Sequence, residues 1–423
     1  MFNPYAHGRR KPTMSDKAVP SVWRYSVFSA VLASAGIPLY IHLPAFLSET
    51  YGIGLATLGG LLIALRCLDF VQDPILGLLL NGGKRRVGAV TALAVVCLAG
   101  GMVGLFLITA PLGVLVWIAL CLALTFTGYS ALTILLYADG VARAESIGHV
   151  AIATWREVGA LLGILTACIL PFAIPSNGYA WFAALFAVLL LGAHFAMRGR
   201  WMKLRVNVPR FGDLAANRVL RNFLILAFFN ALPVAITSTL FVFFVENRLH
   251  LPEFTGVFLL AFFAAAAASA PAWRLLAGRF GVADMLTLGM LLAILSFFWA
   301  FTLPSGAASL FAVICVTSGA ALGADMILLP ALFSQYQERE NNSPTLAFGM
   351  WSFASKASLA LAAGVVLPLL SIAGFDPNGS NSSAELQALA LVYALLPAAL
   401  KVIAILWLWF VLRPSGALQR PMT

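Results

Sequence analysis

The most constraining feature of this 423-residue chain is a succession of apolar runs, each about 20–28 residues long, separated by short polar turns. Coiled as an α-helix, a run of that length spans the roughly 30 Å hydrocarbon core of a bilayer. None of the runs shows the sustained alternation of a barrel strand, so helices and not a β-barrel are expected. Composition points the same way. Hydrophobic residues make up 61% of the chain and charged residues 10%, where a soluble domain carries about 25% charged residues. A water-soluble domain, a disordered chain, a collagen-like repeat and a disulfide scaffold are all excluded.

The runs predict an all-α polytopic membrane protein of about twelve helices. They are numbered α1 to α6 at roughly 22–47, 52–81, 87–109, 112–138, 149–174 and 178–197, and α7 to α12 at roughly 219–245, 253–275, 283–303, 305–333, 344–372 and 385–412. The polar, basic stretch 198–218 divides them into two six-helix bundles, 22–197 and 219–412, with tails at 1–21 and 413–423. The halves echo each other weakly. Both α5 and α11 carry a tryptophan and a cation before a later proline (Trp155, Arg156, Pro171; Trp351, Lys356, Pro368). Two pseudo-symmetric bundles with a site between them are an architecture of secondary transporters.

The net charge of +10 is a topological signal. Of the 26 Lys and Arg residues, Arg66, Arg156, Lys356 and Lys401 fall inside helices and Arg248 in a loop on the far side. The others lie in the tails or in alternate loops on one side. By the positive-inside rule both termini are expected in the cytoplasm, with the protein in a bacterial inner membrane and no nucleic-acid partner. A monomer in the lipid bilayer is expected, with a small-molecule substrate. The cysteines (Cys67, Cys97, Cys121, Cys168, Cys315) lie in apolar runs without ligand spacing and read as small buried hydrophobes. The histidines are scattered. No cofactor and no metal beyond a coupling cation are expected.

Intramembrane charge carries the chemistry, because each such group costs at least ~2.5–3.5 kcal/mol on insertion scales. The richest cluster is Arg66-Cys67-Leu68-Asp69-Phe70-Val71-Gln72-Asp73-Pro74 in α2. Asp69 and Asp73 are one turn apart on one face, with Gln72 beside them. Two carboxylates and an amide oxygen suit Na⁺ or a shared proton, since like charges this close do not both ionise cheaply without a cation. Alternatively, Arg66 neutralises Asp69 and braces packing. Arg156 and Lys356 are expected to hold substrate oxygens, to pair with the α2 carboxylates, or to do both in turn; bonding to Glu157 and Asp325 is the bland alternative. Lys401 reads as snorkelling, without a role. Tyr129, Ser130, Thr133 and Tyr137 fall on roughly one face of α4. Asn230 with Pro233 predicts a broken or kinked α7 near the substrate path.

The pattern Arg66-x-x-Asp69-x-x-x-Asp73-Pro74-x-x-Gly77 resembles the glycoside–pentoside–hexuronide:cation symporters of the major facilitator superfamily, the melibiose-carrier group. The resemblance extends to Gly323-Ala324-Asp325 through Pro330 in α10 and to Phe348-Gly349-Met350-Trp351 through Lys356 in α11. It implies a major facilitator fold and Na⁺- or H⁺-coupled symport by alternating access. Carried over, the cation site falls on Asp69, Gln72, Asp73 and Ser130, and substrate contacts fall on Arg156, Lys356 and Tyr137, with Thr133 and Asn230 along the path. Arg66, Pro74, Gly77 and Asp325 take structural or gating positions. Sugar-transporting members clamp hydroxyls with acidic residues on helices 1 and 4; here those positions are Ala33 and Thr133, so the expected solute is sugar-like or an organic anion. A proton-coupled exporter, a uniporter and a non-transporting assembly factor are the alternatives on the same fold. An enzyme is not expected, because no second Asp-x-x-x-Asp accompanies the first and Asp139 to Arg143 matches a phosphatidyltransferase motif incompletely.

Overall fold

The computed structural model describes residues 22–36, 43–53, 69, 71–80, 84–111, 113–173, 178–201, 216–340, 343–376 and 380–415. Among them there is no strand, and ten helices are long and apolar enough to cross a membrane. These are α3 Lys84–Phe106, α4 Val114–Ile147, α5 His149–Ala173, α6 Gly178–Met197, α7 Arg218–Phe243, α8 Thr255–Phe280, α9 Val282–Phe301, α10 Ala308–Glu340, α11 Pro344–Ile372 and α12, which spans Ser383–Leu412 with π-helical turns at Leu391–Leu395 and Leu408–Leu412. The first two predicted helices are described in pieces: Val22–Ser34, a second helix Leu43–Tyr51, and the α2 segment 71–79. Arg66 and Cys67, and the side chains of Cys168 and Pro171, lie outside what is described.

Helix ends follow local chemistry. Asn217 caps α7, its side chain accepting from the Leu220 amide, and Ser382 with Glu385 forms a capping box at the start of α12. α4 and α5 abut through Gly148, whose φ of +94° is open to glycine and strained for other residues. α4 runs about two turns past its expected end, because Asp139 and Arg143 pair one turn apart and carry the helix onward. α7 continues through Pro233 and closes with a π-helical turn at Phe244–Arg248, so of the broken or kinked helix expected there the break is absent.

Large side chains face outward along the helices: Leu275 and Phe410 are each 75% exposed. Such a belt is unsustainable in water and ordinary against lipid. Without a hydrophobic drive between helices, small residues let the backbones meet. Gly159 and Gly163 of α5 lie so close to Ser26 and Ala30 of α1 that a Cβ would collide with their carbonyls, and Gly319 and Gly323 of α10 meet Phe262 and Ala266 of α8 in the same way.

Buried side chains form two main cores. One is continuous across both halves, running from Tyr25 and Phe28 through Leu132 and Leu135 to Phe333, Leu346 and Phe348. The other, around Phe244, Phe311 and Tyr393, belongs to the second half alone. Across the halves, α5 packs on α8 and α10, and α4 on α10 and α11. The halves are therefore joined towards the end that carries the basic loops.

Candidate functional site

α2, α4 and α11 bring four of the expected residues to one point. Asp73 is fully buried and Asp69 is 5% exposed. The ammonium of Lys356, reaching across from α11, donates to Asp69 Oδ1 at 2.8 Å, to Asp73 Oδ1 at 3.1 Å and to Ser130 Oγ at 2.5 Å. Its three N–H donors are thus matched by three oxygen acceptors from the other half. Ser130 in turn donates to Asp69 Oδ1 at 2.9 Å, and Ser352 of α11 donates to Asp73 Oδ2. The lysine sits as a tethered monovalent cation in an oxygen cage. Of the readings left open for Lys356, pairing with the α2 carboxylates is the one seen; Asp325 lies elsewhere.

Gln72 stands beside the cage with its amide turned. Its Nε2 donates to Asp69 Oδ1 at 3.3 Å while its Oε1 accepts from Thr127 at 2.9 Å. In this conformation it supplies no oxygen to the gap. Thr127 and Ser352 had no place in the sequence reading. Ser352 holds the Asp73 carboxylate and Thr127 the Gln72 amide, each from a helix that only tertiary packing brings near.

Below this cluster α2 crosses α11 closely. A Cβ on Gly349 would lie 2.6 Å from the Asp73 carbonyl oxygen, and one on Gly77 would lie 2.7 Å from that of Thr345. The structural position expected for Gly77 is therefore a helix crossing, one turn beyond Asp73.

The second cation, Arg156, does not reach the α2 carboxylates. Its Nε donates to Glu157 Oε1 at 2.7 Å, and its guanidinium lies 3.6 Å from the centroid of the Tyr137 ring. The Tyr137 hydroxyl donates to the same Glu157 oxygen at 3.0 Å. Arg156, Tyr137 and Glu157 are linked as one unit, in which Arg156 Nη2 is buried without a hydrogen-bond partner among the described residues, and the ring expected as a substrate platform is covered by the arginine. Thr133 is half-buried on α4 between Tyr129 and Tyr137.

A further buried pair overturns the reading of Lys401. Its side chain is not snorkelling: Lys401 is 1% exposed, ion-paired with Asp325 Oδ2, and bonded to Asn230 Oδ1 at 2.6 Å and to the Asn230 carbonyl at 3.3 Å. Three helices of the second half, α7, α10 and α12, converge here. Elimination would have found it, since Asp325 and Lys401 are charges in apolar spans that need partners.

Between the two clusters lies a chamber of about 270 Å³. Its polar lining is Tyr137 and Glu157 from the first half and Asn230, Asp325, Ser355 and Ser358 from the second. It is closed towards the basic-loop end by contacts between α5 and α10, where the His149 ring bonds Ser334 at 2.8 Å and pairs with Glu338. No group of three metal-ligating side chains occurs among the described residues.

Three solved structures resemble this arrangement as whole chains. A bacterial homologue of the iron transporter ferroportin in an outward-facing state matches with TM-score 0.65 at 15% identity, covering 90% of this chain and 97% of that one. A bacterial homologue of the iron transporter ferroportin in an outward-facing state with soaked iron matches with TM-score 0.66 at 15% identity and the same coverage. The human organic anion transporter MFSD10 (TETRAN) matches with TM-score 0.62 at 17% identity, covering 92% and 98%. These likenesses show the fold. No curated protein matches the sequence. The family model described as MFS/sugar transport protein matches residues 25–412. The chain therefore belongs to the MFS/sugar transport protein family, and is a membrane transporter of the major facilitator fold rather than an enzyme.

Proposed function

We propose that the protein is a cation-coupled secondary transporter that carries a small solute in symport with Na⁺ or H⁺. The observation that carries this reading is a charge imbalance. Asp69 and Asp73 share a single ammonium, so among the described residues the buried cluster holds one more negative charge than positive. A charge left uncompensated in a low-dielectric interior is costly, and one monovalent cation or one proton balances it.

The geometry suggests how binding would move the protein. Lys356 belongs to the second half, and the carboxylates and Ser130 to the first. A cation seated between Asp69 and Asp73 competes for the acceptors that hold Lys356. Releasing the lysine removes a bond between the halves, and the bundles 22–197 and 219–412 then rock about the chamber. By linkage, a solute that favours the cation-bound conformation raises cation affinity by the same factor that the cation raises solute affinity. The bias of Lys and Arg to one set of loops supports an orientation with both termini in the cytoplasm, in a bacterial inner membrane. On that orientation the end closed by His149 and Glu338 is the cytoplasmic one.

The test is accumulation in oriented vesicles of a solute that stabilises the purified protein. An imposed Na⁺ or pH gradient should concentrate it inside. Asp69→Asn and Asp73→Asn should let it equilibrate without concentration while the protein stays folded. Unchanged uphill uptake in both variants would overturn the reading.

A further inference from the structure

Resting on the transport reading above, we propose that the solute is an amphipathic amine, a compact apolar body bearing a protonated nitrogen that docks on Asp325. The argument comes from what faces the chamber. Apart from its polar residues, the lining is alkyl and aromatic, including Val234, Leu322, Met326, Leu329, Leu359 and Trp351. Two carboxylates line it, Glu157 and Asp325, and among the described residues no basic side chain does. Their cationic partners, Arg156 and Lys401, do not line the chamber.

Asp325 is only half satisfied. Lys401 takes Oδ2, while Oδ1 is buried and has no hydrogen-bond partner among the described residues. The residue is 7% exposed and lines the chamber. A buried acceptor left unpaired costs free energy, and a donor arriving with the solute recovers it. On the opposite half, both bonds to Glu157, from Arg156 and Tyr137, fall on its Oε1. The chamber therefore offers negative oxygen from each side, and Trp351 offers an aromatic surface suited to a cation.

Other solute classes fit less well. An organic anion would meet two carboxylates and no facing cation. A sugar needs polar partners around most of its surface, and this lining gives it mainly alkyl groups. A protonated amine on an apolar body uses both features: the body covers alkyl wall and the nitrogen donates to Asp325.

The experiment compares four probes on the full-length protein in lipid nanodiscs: 2-phenylethylamine, 2-phenylethanol, 3-phenylpropanoate and galactose. Melting temperature and tryptophan fluorescence are read, with and without Na⁺ and at two pH values. The amine should raise the melting temperature saturably, the alcohol much less, and the anion and the sugar not at all. The double variant Asp325→Asn/Lys401→Met leaves no unpaired charge, and in it the amine should bind at least tenfold more weakly. The inference is overturned if the anion or the sugar stabilises as well as the amine, if no probe stabilises, or if the double variant folds and binds the amine undiminished. The wild-type comparison needs no variant, so a misfolded mutant does not shield the proposal. A stabilising response to Na⁺ or acid with no response to the amine sinks this inference and spares the coupling reading; the reverse pattern sinks the coupling reading alone.

Discussion

The two buried charge clusters are built from similar parts and differ in balance and placement. Lys401 and Asp325 pair one to one within the second half, with Asn230 satisfying the rest of the ammonium. Lys356 faces two carboxylates and spans the two halves. A pair balanced in charge inside one bundle braces three helices, and what it still lacks is a donor for Asp325 Oδ1. A cluster across the interface that holds, among the described residues, one negative charge in excess gains from an incoming cation, and its internal bonds are those that a rocking motion must break. Charge count and location together separate a brace from a switch.

The largest expected effect lies at the brace. Lys401→Met strands a buried carboxylate and should cost ~3–5 kcal/mol, whereas Asp325→Asn/Lys401→Met should recover most of that loss. Melting temperatures of the two variants and the wild type measure it. If the double variant were as unstable as the single one, the pair would owe its place to more than mutual neutralisation.

At the switch, Lys356→Met should act in the other direction on ligands. With the tethered ammonium gone, the oxygen cage is left to external cations, and affinity for Na⁺ or protons should rise at least about tenfold, or ~1.4 kcal/mol. The same variant should melt earlier in Na⁺-free alkaline buffer and regain stability on adding Na⁺ or acid. Titration calorimetry at fixed pH checks the affinity.

Gly349→Leu probes the helix crossing beneath the switch, where the first added carbon meets the Asp73 carbonyl. Overpacking of that kind costs roughly 1–3 kcal/mol and should part α2 from α11. A cysteine pair placed across the crossing should then form a disulfide more slowly. The smallest effect is expected at the edge. Glu338 is partly exposed, so Glu338→Gln should weaken the closure with His149 by less than ~1 kcal/mol. Solvent labelling of the chamber from the basic-loop end would register it as a small rise.

Much of this was legible from the chain alone. Helix number and type follow from apolar run length, and Asp69 with Asp73 follows from one-turn spacing on an apolar helix. Pairing of Lys356 with those carboxylates was among the readings open to it. The remainder depended on which helices touch. Lys401 is 76 residues from Asp325 and 171 from the Asn230 that also holds it, and no local pattern encodes such pairings. Thr127, Ser352 and the His149–Glu338 contact were hidden for the same reason. The extra turns of α4 were missed because Asp139, Arg143 and Glu145 read as a polar loop, although Asp139 and Arg143 have helix-stabilising spacing. The Gln72 amide is the subtler case: its residue type was informative, but its orientation is set by Thr127 from a neighbouring helix.

Direct counting of bound charge tests the account most closely. Purified protein, titrated calorimetrically with Na⁺ at alkaline pH and followed for proton uptake on acidification, should take up one monovalent cation or one proton per chain at the α2 cluster. Asp69→Asn/Asp73→Asn should take up none there. An identical stoichiometry in the double variant would mean that these carboxylates belong to the scaffold, with Lys356 as their permanent partner.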